Sequence, residues 1–428
     1  MAANMATEAA QPEVQQKIDA LGGADIVIGI PSFNNAATIG HVVREAQRGL
    51  RQYFPEARSV IINSDGGSND GTPAIVMESV ADESGLLQVP HALAPVQKLS
   101  TPYLGIPGKG SAIRNVFQLA RRLGAKACAV IDADLRSIRP DWVRLLVEPV
   151  LEQGYDFVAP NYVRHKFDGT ITNSVVYPMS RALYGKRIRQ PTGGEFSFSQ
   201  TMLDRYLAQN VWETDVARFG IDIWLTTEAL CSGLRICQVA LGAKIHDPKD
   251  LSSDLSSMLV QVLGAMFTEM DRNTAVWQKV RGSTPVIVLG GPSEVETEPV
   301  KVDAGKMIDS VQLGFKNLFG IWSLVLPPNS LLELRKHAQR PPAEFRLADE
   351  LWVRVVYDFA VAHHFRTISR DHLLRAFTPL YLGWVASFVM EMETADAAQV
   401  EARIETLCLR YEEQKPYLIS RWRWPDRF

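Results

Sequence analysis

The sequence predicts an α/β protein: a Rossmann-like, doubly wound and mostly parallel sheet, followed by a C-terminal helical module. Three observations lead there. Strand-like and helix-like segments alternate from residue 25 to about 160, as in parallel sheets with crossover helices. The apolar run Ala129-Val130-Ile131 ends in Asp132-Ala133-Asp134-Leu135. Beyond residue 303 the chain reads as helices broken at Pro327-Pro328 and Pro341-Pro342.

The elements follow in order. Asp25 to Pro31 is the first strand; Asn34, Asn35 and Thr38 offer N-cap chemistry for a helix through Leu50. Ser59 to Asn63 is the second strand, and it runs into Ser64-Asp65-Gly66-Gly67-Ser68. A helix starts at Pro73, where proline is tolerated in the first turn. Gly110 to Leu123 is a helix, Ala127 to Ile131 a strand and Asp141 to Gln153 a helix. Strand signals return at Phe157-Val158-Ala159 and Arg235 to Ala240, with a long polar-aromatic loop between. Thr284 to Pro299, with Gly290-Gly291-Pro292, reads as a linker or extended arm. The expected organisation is a mobile tail over 1–24, a catalytic domain over 25–283, an arm over 284–302 and a helical accessory or dimerisation module over 303–428.

Bulk properties narrow the function. The 428 residues carry a net charge of -3, which gives no reason to expect nucleic acid. The four cysteines show neither C-x-x-C nor zinc spacing, so buried reduced thiols in a cytoplasmic protein are expected. Ala376 to Met390 is uncharged but contains Pro379 and is shorter than the roughly 20 residues of a membrane span. A buried helix is expected there, without integral membrane association.

The chemistry-bearing residues fall at strand ends and helix starts. Alternation along a strand sends Asp132 and Asp134 to one face at the C-terminal edge of the sheet, where open α/β sheets bind ligands. Two hard oxygen donors there suit a divalent cation that in turn holds nucleotide phosphates. Asp65, in its glycine-rich turn, is placed to accept the N3–H of a uracil-type base or a ribose hydroxyl, or to close an Asx turn. Pro107-Gly108-Lys109-Gly110 opens a helix and combines backbone N–H groups with a full charge, which suits a diphosphate. Gln190-Pro191-Thr192-Gly193-Gly194-Glu195-Phe196 supplies close backbone approach and a carboxylate for sugar or small-acid hydroxyls, or a plain turn. Asp222, in Phe219-Gly220-Ile221-Asp222, is a helix cap or a hexose ligand. His246, in Lys244-Ile245-His246-Asp247-Pro248-Lys249-Asp250, is a candidate metal ligand just after a strand.

In order and spacing these motifs, with Ile30-Pro31-Ser32-Phe33-Asn34-Asn35, resemble a GT-A nucleotide-sugar glycosyltransferase over Ile26 to about Asp250. More narrowly they resemble the retaining glucosyl-3-phosphoglycerate synthase family with its glucosylglycerate and mannosylglycerate relatives. The resemblance implies that Pro31, Asn34, Asp65, Gly66, Lys109, Asp132 and Ala133 bind the nucleotide sugar, a UDP- or GDP-hexose. It implies Mg²⁺ or Mn²⁺ at Asp132, Asp134 and His246. Ser174, Thr192, Gly193, Gly194, Glu195 and Asp222 would meet the hexose and acceptor, and Lys109, Asp134, Glu195 and Asp222 would carry the catalysis.

One departure concerns the acceptor. Where the family places an Arg and a Thr to clamp a phosphate, this chain reads Gly169-Thr170-Ile171-Thr172-Asn173-Ser174. Ser174 would replace the Thr, and Arg181, Lys186, Arg187 and Arg189 would supply charge from downstream. A bidentate guanidinium is not easily replaced, so an unphosphorylated hydroxy acid, glycerate first, is the expected acceptor. The rival expectations are a polyprenyl-phosphate glycosyltransferase, a sugar nucleotidyltransferase and a non-catalytic nucleotide-sugar sensor. A homodimer through the helical module is also expected.

Overall fold

The computed structural model describes residues 19, 21–79, 97–102, 108–214, 216, 220–246, 254–291 and 297–423. Most of the 1–24 tail, Pro107, Phe219, Pro292 and Asp247 to Asp250 lie outside them.

Eight strands form the main sheet: β1 Ile26–Ser32, β2 Ser59–Asp65, β3 Gln97–Pro102, β4 Ala127–Val130, β5 Phe157–Val163, β6 Phe196–Ser199, β7 Ile236–Ala243 and β8 Val288–Leu289. Their spatial order is β8-β7-β5-β6-β4-β1-β2-β3. All pairings are parallel except those of β6, which runs antiparallel to both β4 and β5. β1, β2 and β4 are buried along their whole length, as expected of strands covered on both faces.

The covering helices are α1 Ile39–Tyr53, α2 Thr72–Glu78, α3 Lys109–Arg122, α4 Pro140–Leu151, α5 Tyr177–Tyr184, α6 Gln200–Leu207 and α7 Ile221–Ser232. α1 and α4 pack with Ile28, Ile30, Ala129 and Ile131 on one face. α3, α6 and α7 pack with Val27, Ile62, Phe196 and Phe198 on the other. The two faces follow from the period of two in the strand sequences.

Four readings change. The loop expected between 160 and 235 holds a wide π-helical turn over Thr172–Val176, then α5, β6, α6 and α7. Its polar-aromatic residues hide short elements with no clean period. The second strand runs two residues further than expected, to Asp65, so the loop opens on a strand terminus. The arm expected over Thr284 to Pro299 begins as structure: Thr284–Pro285 pairs with Lys186–Arg187, and β8 extends the sheet. Thr38 does not cap α1; its hydroxyl donates to the Ala133 carbonyl at 2.7 Å and ties the helix start to the carboxylate turn.

The remaining longer helices are α8 Asp254–Arg272, α9 Ala304–Asn317, α10 Phe319–Val325, α11 Pro328–Ala338, α12 Asp349–His364, α13 Arg370–Met392 and α14 Ala397–Trp422. The apolar core they build crosses the 283/303 boundary. Val175, Met179, Leu183, Leu263 and Phe267 belong to the same buried cluster as Trp352, Phe377, Tyr381 and Tyr411. Polar contacts cross too: buried Arg181 bonds Glu405 and Glu412, and Arg189 reaches Glu401 at 2.8 Å. Arg187 lies 4.0 Å from Glu405, while Lys186 donates to Thr284. The downstream cations expected to serve the acceptor thus face the C-terminal helix and the returning arm. α13 is long and apolar enough to cross a membrane by composition, but 72 % of its most apolar stretch is buried in this core.

A shared core predicts shared unfolding. Phe377→Ala is expected to cost about 3–5 kcal/mol and to leave a single urea transition for sheet and helical module together. Urea titration read by tryptophan fluorescence and by far-UV dichroism checks it, since two separated transitions would contradict a common core.

Candidate active site

The C-terminal edge of the sheet collects every motif. At one end the tips of β1 and β2 are tied together. Asn34 sits at φ 52°; its N–H donates to Ser68 Oγ at 2.8 Å and its Oδ1 accepts from the Asn69 N–H at 3.1 Å. Pro31 lies opposite Ser64 in the ladder, and the Gly66 N–H donates to the Ser32 carbonyl. Asp65 is buried and accepts four hydrogen bonds: Ser32 and Ser68 hydroxyls on Oδ1, Gly67 and Ser68 N–H groups on Oδ2. A carboxylate has about four lone-pair sites. The expected open acceptor for a base is therefore corrected to a closed Asx turn that shapes the pocket through its loop.

At the centre lies a chain of alternating charges. Lys109, the first residue of α3, is 2.7 Å from Asp132 and 3.2 Å from Asp222. The other oxygen of Asp132 is 3.0 Å from Lys244, which in turn lies 2.9 Å from Glu195 and donates to the Gly193 carbonyl at 2.8 Å. Tyr162 donates its hydroxyl to Glu195. Glu195 is fully buried and the Lys244 side chain 6 % exposed. Burial opposes every one of these charges, so each must be held by its neighbours.

The acid–base consequences differ along the chain. Burial works to neutralise Lys109, but the carboxylates of Asp132 and Asp222 outweigh it and raise its pKa. Burial likewise opposes ionised Asp132, yet Lys109 and Lys244 hold it well below the carboxylate range. Burial opposes the charge of Lys244, but Glu195 and Asp132 raise its pKa. Three carboxylates share two ammonium groups, and the excess acid shows at the ends. Burial, helped by the Asp132 charge, lifts Glu195 to about 7 against the pull of Lys244. Asp222 is raised by burial first and by Asp132 next. Its Oδ1 is buried and takes no hydrogen bond among the described residues, its one neighbour of opposite charge being Lys109 Nζ at 3.2 Å. Asp222 makes no side-chain cap on α7 either, so the cap reading gives way to a carboxylate aimed at the site.

Glycines set the spacing. A Cβ on Gly194 (φ +95°) would come 2.2 Å from Asp132 Oδ2 and 2.9 Å from Lys244 Nζ. One on Gly193 would meet Pro160 Cγ at 2.2 Å. Thr192 shares a 3.1 Å hydrogen bond with Thr172 across this loop.

Leu135 and His246 form an isolated antiparallel bridge, which brings the backbone after Asp134 against that of His246. Asp132, expected as a third ligand, has both oxygens on lysines instead. Among the described residues no group of three or more His, Cys, Asp or Glu side chains is placed to hold a metal. An oxygen and an imidazole nitrogen together suit a small divalent cation that takes its other ligands from phosphate and water.

Ser174 is the clearest displacement. It is fully buried, its hydroxyl donates back to the Thr170 carbonyl at 2.7 Å, and it faces the helical module rather than an acceptor. Two residues escaped the sequence reading. Lys244 and Tyr162 stand at the C-terminal ends of β7 and β5, the position that singled out Asp132. A lysine directly after a buried strand was the available signal. Arg164 stacks on the Tyr162 ring at 5.6 Å, opposite Asp168 at 3.0 Å.

Residues 27–212 match the sequence model for Glycosyl transferase family 2. Over this stretch the chain is similar to glycosyltransferases. Three solved structures similar to the chain are glucosyl-3-phosphoglycerate synthase from Mycobacterium tuberculosis. The complex with Mn²⁺, UDP and glucosyl-3-phosphoglycerate is 24% identical over 59% of this chain and 83% of that one, with a TM-score of 0.44. The complex with Mn²⁺, UDP-glucose and phosphoglyceric acid is 23% identical over 60% and 83%, with a TM-score of 0.43. The complex with Mg²⁺ and UDP is 22% identical over 59% and 82%, with a TM-score of 0.43. Among curated protein sequences none matches the chain. The matched residues hold β1 to β6 and, of the charge chain, Lys109, Asp132 and Glu195. Lys244, Asp222 and His246 come from beyond the matched residues.

Two outcomes test the geometry. Gly194→Ala is expected to push Asp132 off Lys244 and lower kcat by about 100-fold, with a Tm near that of the parent; unchanged turnover would show that the spacing does not matter. For Glu195 the folded pKa, about 7, lies above the ordinary value of 4.5. The native chain then keeps a proton that the unfolded chain loses between these values. Stability from this group is full below pH 4.5 and falls as pH rises through 7. Glu195→Gln should flatten that fall in denaturant titrations between pH 5 and 8.

Proposed function

We propose that the chain is a metal-dependent retaining glycosyltransferase moving a hexose, glucose first, from a nucleotide diphosphate sugar to a small hydroxy acid. The carrying observation is the buried Asp222–Lys109–Asp132–Lys244–Glu195 chain beside Asp134 and His246. It brings two ammonium groups and three carboxylates together at one sheet edge, groups suited to a diphosphate and to sugar hydroxyls. The motif order and the similarity to glycosyltransferases support the reaction class.

Lys109 at the start of α3 neutralises the leaving diphosphate together with the helix N–H groups. Asp134 and His246 would hold a divalent cation, Mg²⁺ or Mn²⁺, which would supply Lewis-acid stabilisation of the leaving group. Asp222, ion-paired through Oδ1 to Lys109, accepts a hexose hydroxyl, while Glu195, whose oxygens are taken by Lys244, Tyr162 and the Asp132 N–H, positions Lys244. Asp132 holds Lys109 and Lys244 in register. The acceptor hydroxyl passes its proton to the departing phosphate oxygen on the same face, so no side chain acts as nucleophile.

The acceptor reading is an unphosphorylated acid, glycerate first. Arg181, Arg187 and Arg189 are engaged with Glu405, Glu412 and Glu401, away from the cleft. Arg164 stands at this wall with Nη1 on Asp168 at 3.0 Å, and its buried Nε has no hydrogen-bond partner among the described residues. One guanidinium suits one carboxylate. The free cysteines suit the reducing cytoplasm.

The test crosses UDP-glucose, GDP-glucose and GDP-mannose with glycerate and 3-phosphoglycerate in Mg²⁺ or Mn²⁺, with products read by NMR. An α-hexosyl-glycerate is the expected product; exclusive use of the phosphorylated acid would overturn the acceptor. Asp134→Ala and His246→Ala are each expected to lower turnover by about 100-fold or more while circular dichroism stays unchanged. Full activity of either variant in chelator would remove the metal assignment.

A further inference from the structure

The segment 165–176, between β5 and α5, has one side toward the site and one toward the helical module. On the site side Thr172 bonds Thr192, two residues before Gly194, and Asp168 pairs with Arg164. On the other side four anchors come from three module helices. Lys166 Nζ donates to the carbonyls of Met392, Glu393 and Ala395 at 3.0, 2.6 and 3.1 Å, at the C-terminal end of α13 where the helix dipole favours a cation. The hydroxyls of Thr170 and Tyr381 share a hydrogen bond of 2.6 Å. The Ser174 carbonyl receives Trp352 Nε1 at 3.1 Å and the Tyr411 hydroxyl at 2.9 Å. Asn173 Oδ1 accepts from Arg189, which Glu401 grips through two oxygens.

The aromatic anchors among these are buried. Tyr381, Tyr411 and Trp352 are each fully buried, so each polar atom requires its partner. They also explain the wide π-helical turn over Thr172–Val176, a geometry costly in isolation and frequent at functional sites. The nucleotide end of the cleft, by contrast, is held by its own bonds between the β1 and β2 tips.

We infer that the helical module sets the acceptor wall: Tyr381, Lys166 and Trp352 are positioning residues that place segment 165–176 against Thr192 and so determine which hydroxy acid fits. The inference rests on the acceptor reading proposed above. The module acts on acceptor recognition through these few atoms and leaves the donor end alone.

The test uses the full chain with UDP-glucose and D-glycerate. Tyr381→Phe and Thr170→Val each delete one hydroxyl, and Thr170→Ser keeps it. Acceptor KM should rise about fivefold in the first two and stay near the parent value in Thr170→Ser, about one hydrogen bond's worth. Donor KM and kcat at saturating acceptor should hold. An unchanged acceptor KM in Tyr381→Phe overturns the inference, as does a donor KM that rises in step, which marks general loosening. Failure of the functional reading is told apart by the parent enzyme, which would then turn over neither glycerate nor 3-phosphoglycerate. Hydrogen exchange decides the bracing in that case. Exchange that quickens over 165–176 in Tyr381→Phe but not over 26–65 supports it, and unchanged exchange over 165–176 overturns it.

Discussion

Two ammonium groups serve three carboxylates at the C-terminal edge of the sheet, and none of the five can be displaced alone. Removing one member of a buried ion pair leaves an uncompensated charge at a cost of about 3–5 kcal/mol. The surrounding backbone answers to that constraint. Gly193 and Gly194 are glycine because Pro160 and Asp132 occupy the space of a side chain. Lys109 opens α3 beside Asp132 and Asp222, and Lys244 ends β7 between Asp132 and Glu195. The same scarcity of positive charge leaves Glu195 and Asp222 as the weaker acids of the chain.

Much of this was legible in the residues. The alternation of elements to about 160, the carboxylate turn after β4, and the helix opening at Lys109 rest on local periodicity and turn chemistry, which a single sequence carries well. What stayed hidden depends on contacts between distant segments. Whether Asp65 offers its oxygens to a ligand or to Ser32 and Ser68 cannot be read from a glycine-rich loop. Whether Arg181 faces a substrate or Glu412 depends on where α14 lies, more than 200 residues away. Ser174 has the right chemistry at the right interval, yet the π-helical turn points it inward. Short β6, only four residues long, gave no period to detect.

The helical module changes meaning for the same reason. Its sequence contains no catalytic constellation, and helices broken by proline pairs read as a separate accessory. In the fold its aromatic residues complete the core that α5 and α8 begin, and its polar tips tie down the chain between β5 and α5. α13 shows the ambiguity well: composition alone cannot distinguish a helix surrounded by lipid from one surrounded by protein.

The reversed direction of β6 has a consequence for how such a cleft can diverge. Its antiparallel neighbours β4 and β5 deliver side chains to the site as they end, whereas β6 delivers Glu195 just before it begins. The loop leading into it therefore enters the cleft from outside the sheet, and its length is free of the crossover geometry that governs the other connections. Insertions or deletions upstream of Gln190 can reshape the mouth of the cleft while the strand register, and with it the charge chain, stays where it is.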